Sequence, residues 1–374
     1  MTTEIRPVRS RAELRDFVRL PWRIYRRDPY WVPPLVSEIE QTVALPALGR
    51  PTAAHEVFVA RRGQVPVGRI YAAVDAVLNA QKGQQTGHLS LFECVDDADL
   101  ARELFDRSLA WLKGRGVSIV RGPVCPAGPA IDEHKGALVD GFDGPPLILT
   151  SYNPPYYPCL FEQAGFEKAA DVFAYHLDRA RLFTKDPARV VQYAERRYGF
   201  RTEAMNLRDV EGEVRAIKQV LDVAIPAEWI DMVPPSVEEV REMARRLVPL
   251  VDPDLTAIVR AGDRAVGFGL AIPDYNQVLI HLNGRVTPLG ALKYLWYKRR
   301  INRVRFFIMF VVPEYRQKGV AHAIYYRVFS LGTAKGYMHG EASTIGETNR
   351  QMRADLEKMG ATRSRTYRVY GKTI

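Results

Sequence analysis

The order of strand and helix signals in residues 1–180 recurs in residues 181–374, and a chain built from one unit used twice has few folds open to it. In the first copy, residues 3–8 alternate as a strand, and Ser10 caps a basic amphipathic segment over 11–27. Residues 57–61 and 65–74 read as strands joined by a glycine turn, and 89–95 as a further strand. Residues 99–113 place Leu100, Leu104, Leu109 and Leu112 on one side of a helix that Gly114 and Gly116 stop. A strand over 117–120, a Pro/Gly-rich loop over 122–146, the stretch 147–151, a helix near Leu160 and strands through 166–177 complete it.

The second copy gives helices over 210–223 and 236–247, then strands over 255–260 and 265–271. After these come a strand over 306–312, a helix over 320–331, a strand over 337–343, a helix over 347–358 and a final strand over 362–370. The join falls near 178–186, with a connecting helix over 187–197. The expected organisation is therefore two α/β domains, each with a mixed sheet, over 1–180 and 181–374.

At 47% hydrophobic and 26% charged residues the chain can build real cores. No apolar run reaches the ~18–20 residues of a membrane helix. The start MTTEIRPVRS has no apolar leader region, so a cytoplasmic protein is expected. Cys94, Cys125 and Cys159 have no metal-ligand spacing, and the seven histidines form no HxxxH pattern, so no metal is expected. A net charge of +10 suits an anionic partner: a polyphosphorylated cofactor, an anionic membrane face or nucleic acid. The lack of zinc-finger spacing, aromatic RNA-binding motif and recognition helix counts against nucleic acid.

Residues 311–322, VVPEYRQKGVAH, carry the strongest chemical signal. An apolar strand stops at Pro313, a basic turn follows (Arg316, Gln317, Lys318, Gly319), and Val320 opens a helix. The first N–H groups of a helix have no internal partners, and its dipole favours an anion there. Gly319 lets the backbone approach such an anion closely. The equivalent turn of the first copy, Phe92-Glu93-Cys94-Val95-Asp96-Asp97-Ala98-Asp99, has no glycine and four acids, which would repel a diphosphate.

The spacing Arg316-x-x-Gly319-x-Ala321, followed by Asn349 at a helix start and the closing Gly360, resembles the two signatures of the GNAT acyltransferases. The phrases Leu20-Pro21-Trp22-Arg23-Ile24-Tyr25, Trp31-Val32-Pro33-Pro34-Leu35, Tyr152-Asn153-Pro154-Pro155-Tyr156-Tyr157 and Tyr367-Arg368-Val369-Tyr370 look like a bacterial family of tandem GNAT N-acyltransferases that includes the bacterial ceramide synthases. The resemblance implies two tandem GNAT-like domains, the first degenerate. It also implies an acyl-CoA co-substrate and transfer of a fatty acyl group to the amine of a sphingoid base. Two alternatives stay open: a small-amine or amino-acid acetyltransferase, and a non-catalytic acyl-CoA sensor.

It implies that Val311, Arg316, Gln317, Lys318, Gly319, Val320 and Ala321 hold CoA, with Asn349 shaping the site. A backbone N–H at Val311 or Val312 would stabilise the oxyanion, and Glu341 or Glu347 would take the proton of the attacking amine. Leu356 stands where the family's tyrosine general acid is expected, which counts against such an acid; a CoA thiolate is stable enough for water to protonate it. The stiff segment with Asn153, Tyr156 and Tyr157 suits a pocket wall, and His134, beside Asp132 and Glu133, is a weaker candidate base. Residues 288–305 read as an amphipathic helix with Leu289, Leu292, Leu295 and Trp296 on one face, framed by Lys293, Lys298, Arg299 and Arg300. It and the basic aromatic stretch near Trp22 fit either a lipid interface on the inner membrane face or packing on their own domains. The same helix could roof an acyl or acceptor channel, which makes Trp296 a candidate substrate contact.

Overall fold

The computed structural model describes residues 3–44, 54–125, 135–180, 187–229 and 231–374. The first half runs β1 (Thr3–Pro7), α1 (Arg11–Ile24), α2 (Val36–Ala44), β2 (Ala54–Arg62), β3 (Val65–Val74), α3 (Ala76–Lys82), β4 (Thr86–Cys94), α4 (Ala98–Lys113), β5 (Ile119–Gly122), β6 (Ala137–Asp140), α5 (Tyr157–Gln163) and β7 (Glu167–Asp178). The second half runs α6 (Ala188–Tyr198), β8 (Arg201–Glu203), α7 (Val210–Ala224), α8 (Val237–Leu247), β9 (Thr256–Ala261), β10 (Arg264–Pro273), α9 (Asn276–Leu279), α10 (Pro288–Lys298), β11 (Arg303–Val311), α11 (Val320–Ala334), β12 (His339–Gly346), α12 (Arg350–Lys358) and β13 (Thr362–Thr373).

Local chemistry sets many of these bounds. Ser10 and Glu13 form a capping box at the head of α1, and Ser236 and Glu239 do the same for α8. Asn349 caps α12, so that helix starts three residues later than the sequence suggests. In α4, Leu100, Leu104 and Leu112 are fully buried, each contributing roughly 1.5–3 kcal/mol of apolar burial. Residues 147–151 form no strand; they pass between the halves as irregular chain.

The sheet order is β1-β2-β3-β4-β5-β13-β7-β12-β11-β10-β9-β8, with β6 also on β13. The pairs β4/β5 and β11/β12 are parallel, and the others antiparallel. The halves exchange their last strands. β13, from the second half, pairs with β5 of the first, and β7, from the first half, pairs with β12 of the second. One continuous sheet therefore runs through both copies. A core lies on it in each half, one around Leu104, Phe105 and Phe161, the other around Val220, Phe268 and Ile324.

Candidate active site

The fourth and fifth strands of the second half diverge. β11 and β12 pair only from Arg303–His339 to Phe306–Ala342, after which β11 continues to Val311 and β12 to Gly346 without each other. Against β10, Leu270 faces Ile308 and Ala271 faces Phe306, which leaves Phe307 as an extra, bulged residue of β11. The Val312 N–H donates to the Val266 carbonyl at 3.0 Å. Successive N–H groups of a strand point to opposite edges. Those of Phe310 and Ile308 thus face β10 with Val312, while those of Met309 and Val311 face the open edge. This corrects the oxyanion expectation at Val312, whose proton is already committed to the sheet.

Beyond β11 a short 3-10 turn (Pro313–Tyr315) leads into the basic turn. Gln317 (φ 63°) and Gly319 (φ 84°) both adopt left-handed backbone, a conformation that costs a non-glycine residue and folds the turn tightly. Helix α11 starts with no side-chain cap, and the Ala323 N–H donates to the Gly319 carbonyl at 2.9 Å. The N–H groups just before it stand at the positive end of the helix without intrahelical partners. Arg316 braces the turn: its Nε donates to the Val311 carbonyl at 3.2 Å and its Nη2 to the Ala224 carbonyl at 2.9 Å. The Lys318 ammonium lies 4.9 Å from the Tyr315 ring centre and 5.9 Å from that of Tyr198.

The divergence opens into a cavity of about 1330 Å³. Phe306–Phe310 of β11 and residues 343–349, from the end of β12 onward, form one side, and first-half residues 169–172, Arg121, Val124 and Cys125 contribute to the wall with the loop Met232–Pro235 and α8. Glu347 and Asn349 line it; Glu341 and the basic turn do not. Glu347 is held across the two halves, accepting from Lys168 Nζ at 2.7 Å and from the Asp171 N–H at 3.1 Å. Glu341 is buried in β12, with Oε1 lacking a hydrogen-bond donor among the described residues. Asp231 also joins the halves: Arg121 Nε donates to Oδ2 at 3.0 Å and His88 Nε2 lies 3.3 Å from Oδ1. Burial pushes the Asp231 carboxyl up, but the His88 hydrogen bond and the charges of His88 and Arg121 outweigh it and hold it below the usual range.

The first half keeps the frame and fills the slot. β4 and β5 pair only from Thr86–Ile119 to His88–Arg121, and β4 carries its own bulge, with Arg69 facing Glu93 and Tyr71 facing Ser90. Asp97 caps α4 by accepting the Leu100 N–H at 3.0 Å, so the helix supplies its own anion. The Cys94 N–H donates to the Tyr157 hydroxyl at 2.9 Å, and the Tyr156 hydroxyl donates to the Cys94 carbonyl at 2.7 Å. Tyr157 and Tyr25 both donate to Glu93, at 2.6 and 3.0 Å. Tyr156 and Tyr157 thus wedge the first half's own cleft and do not line the cavity, correcting their expected role in substrate binding. Asn153 is buried and spent on the Leu138 N–H and carbonyl, at 2.6 and 3.1 Å. Trp296 is 60% exposed on the outer face of α10, so it too is corrected as a pocket residue.

Asp132, Glu133 and His134 lie outside the described residues. His176, Asp178 and His339, on the neighbouring strands β7 and β12, bring possible metal-ligand atoms within 4.8 Å of one another, a grouping no sequence spacing reveals. None of the three lines the cavity.

A sheet split between two parallel strands, with a glycine-bearing turn and an uncapped helix start beside the split, defines a GNAT-type N-acyltransferase, here in tandem form. The chain belongs to the bacterial tandem GNAT N-acyltransferase family that includes bacterial ceramide synthase: it is 30% identical over 381 residues to the protein of that name from Caulobacter vibrioides (strain NA1000 / CB15N), covering 98% of this chain and 97% of that protein. It is 28% identical over 376 residues to Protein YghO of Escherichia coli (strain K12), covering 99% and 95%. No family model matches. Among solved structures, a tandem GNAT protein from the clavulanic acid biosynthesis pathway superposes with TM-score 0.58 at 11% identity, covering 100% of this chain and 98% of that one. A GCN5-related N-acetyltransferase from Sphaerobacter thermophilus gives 0.55 at 14%, covering 99% and 95%. At these identities the two structures establish the fold alone.

Proposed function

We propose that the protein transfers a fatty acyl group from acyl-CoA to the amine of a long-chain, sphingoid-type base. Residues 181–374 form the catalytic unit and residues 1–180 a degenerate partner that walls the acceptor side. The observation that carries the reading is the cavity at the strand divergence. Its volume of about 1330 Å³ exceeds the ~300–1000 Å³ of an ordinary small-ligand pocket. Phe306, Phe307, Ile308, Met309 and Phe310 give it an apolar wall suited to an alkyl chain. An acetyl donor with a small amine would leave most of that space empty. The name of the relative from Caulobacter vibrioides supports the same substrate class.

In this reading the CoA diphosphate meets the free N–H groups of Gly319–Ala321. The pantetheine lies along the open edge of β11, replacing the hydrogen bonds that β12 no longer makes. The Met309 or Val311 N–H receives the thioester oxygen. Glu347, which lines the cavity where Glu341 does not, takes the proton of the attacking amine through water. The amine nitrogen bonds to the carbonyl carbon, the C–S bond breaks, and the CoA thiolate takes its proton from solvent. Leu356, fully buried in the core, offers no acid.

The test is mass spectrometry of products formed from mixed acyl-CoAs and mixed amines. N-acylated long-chain base as the dominant product is expected. Products confined to acetylated small amines would reject the substrate class, and no thiol release from any donor would reject catalysis.

A further inference from the structure

Helix α10 is built inside out. Tyr294 stacks inward on Tyr275 and Tyr297 on His281, with ring centres 6.3 and 3.8 Å apart, and Gly290 is buried. Its aliphatic residues face solvent: Leu289, Leu292, Leu295 and Trp296, with Val286 just before the helix, are each 60–67% exposed. In contrast, the leucines of α4 are buried. Residues 283–305 contain no Asp or Glu, and Arg285, Lys293, Lys298, Arg299 and Arg300 surround the apolar face, all exposed. Arg300 lies over the Trp296 ring at 4.2 Å. The N-terminal aromatic segment joins the foot of this face. The Trp22 indole N–H donates to Asn283 Oδ1 at 2.8 Å, and the charges of Arg19 and Arg285 feel each other.

We infer that this face seats the protein on a bilayer with anionic headgroups, α10 lying in the interface with Leu289, Leu292, Leu295 and Trp296 among the acyl chains. An apolar stripe whose own helix rims it with cations alone is complementary to lipid tails beneath a negative headgroup layer, the carboxylate of Glu40 acting only at the foot, near Arg19. A second copy docked face to face would set these cations against the same cations. The placement gives the contact a purpose. The cluster of Leu270, Ile272, Tyr275 and Val278, on which Tyr294 and Tyr297 rest, also packs against Phe307 and Ile308, which line the cavity. The inference stands apart from the choice of substrate, because lipid binding is measured without turnover.

The test uses the full chain and sedimentation with vesicles of phosphatidylcholine, alone or with 30% (roughly) phosphatidylglycerol. Binding to the anionic vesicles is expected, weakened about tenfold or more between low and high salt. The double variant Leu292→Glu and Leu295→Glu should lose about tenfold in vesicle affinity with unchanged melting temperature. Wild-type Trp296 emission should shift to the blue on binding, a shift that Trp296→Phe removes. Equal binding by the double variant, or no binding at low salt, overturns the inference. A dimer in light scattering that the double variant dissolves would assign the face to a second copy instead.

Discussion

The Tyr157 hydroxyl sits 2.9 Å from the Cys94 nitrogen and accepts its N–H, at the open strand edge of the first half where the second half keeps a cavity. A side chain thus does in one copy what a bound thioester arm would do in the other. Tyr157→Phe strips the Cys94 N–H of its acceptor and Glu93 of a donor, both in buried surroundings. We expect a stability loss of about 1–3 kcal/mol by denaturant unfolding, with KM for both substrates unchanged. A large KM change at intact stability would return Tyr157 to the substrate site.

Gly319 tests the basic turn. A Cβ there would lie 2.8 Å from Cβ of Ala194, on backbone with φ 84°. Gly319→Val should lower CoA affinity in calorimetry by at least about tenfold, for a fold cost of roughly 1–3 kcal/mol. Undiminished affinity would remove the diphosphate from this turn.

Glu347 and Glu341 separate on one measurement. Glu347→Gln should lower kcat by about 10²-fold while the affinity for CoA holds. Its tie to Lys168 is one-third exposed, so stability should move by less than about 1 kcal/mol. Glu341→Gln should leave kcat within a few-fold, since Glu341 is buried away from the cavity. The reverse pattern would move the base to Glu341.

Asp231 makes the junction between halves acid-sensitive. Its carboxyl titrates below the usual range in the fold, so the unfolded chain binds the proton first. The stabilisation is complete above the unfolded value of about 3.9 and is lost as pH falls through the lower folded value. Asp231→Asn should cost about 1–3 kcal/mol at neutral pH and flatten the fall in stability below about pH 4. An unchanged acid profile would mean that the Arg121 and His88 contacts carry no stability.

The duplication was legible because the order of strand and helix signals recurs, and each half marks its elements locally: Ser10 capping α1 and the leucine spacing of α4 in the first, the glycine before α11 in the second. What escaped depends on long-range pairing. Nothing near residue 362 says that β13 will lie beside β5, and nothing near Glu347 names Lys168 as its partner. Tyr156 and Tyr157 misled because a polar-tipped aromatic serves equally as a pocket wall or as a wedge against an unpaired strand edge. The outward apolar face of α10 was legible as a spacing, but its exposure required the fold.

The traded strands bear on how the chain is made. A ribosome delivers β13 long after β5, so β5 waits with a bare hydrogen-bonding edge until residues 362–373 emerge. Cutting the gene at its internal repeat would yield two fragments, each missing a neighbour and each offering a sticky rim. The ancestral single unit, had it the same layout, would have closed by pairing with its twin, and fusion would then have turned a dimer into one molecule.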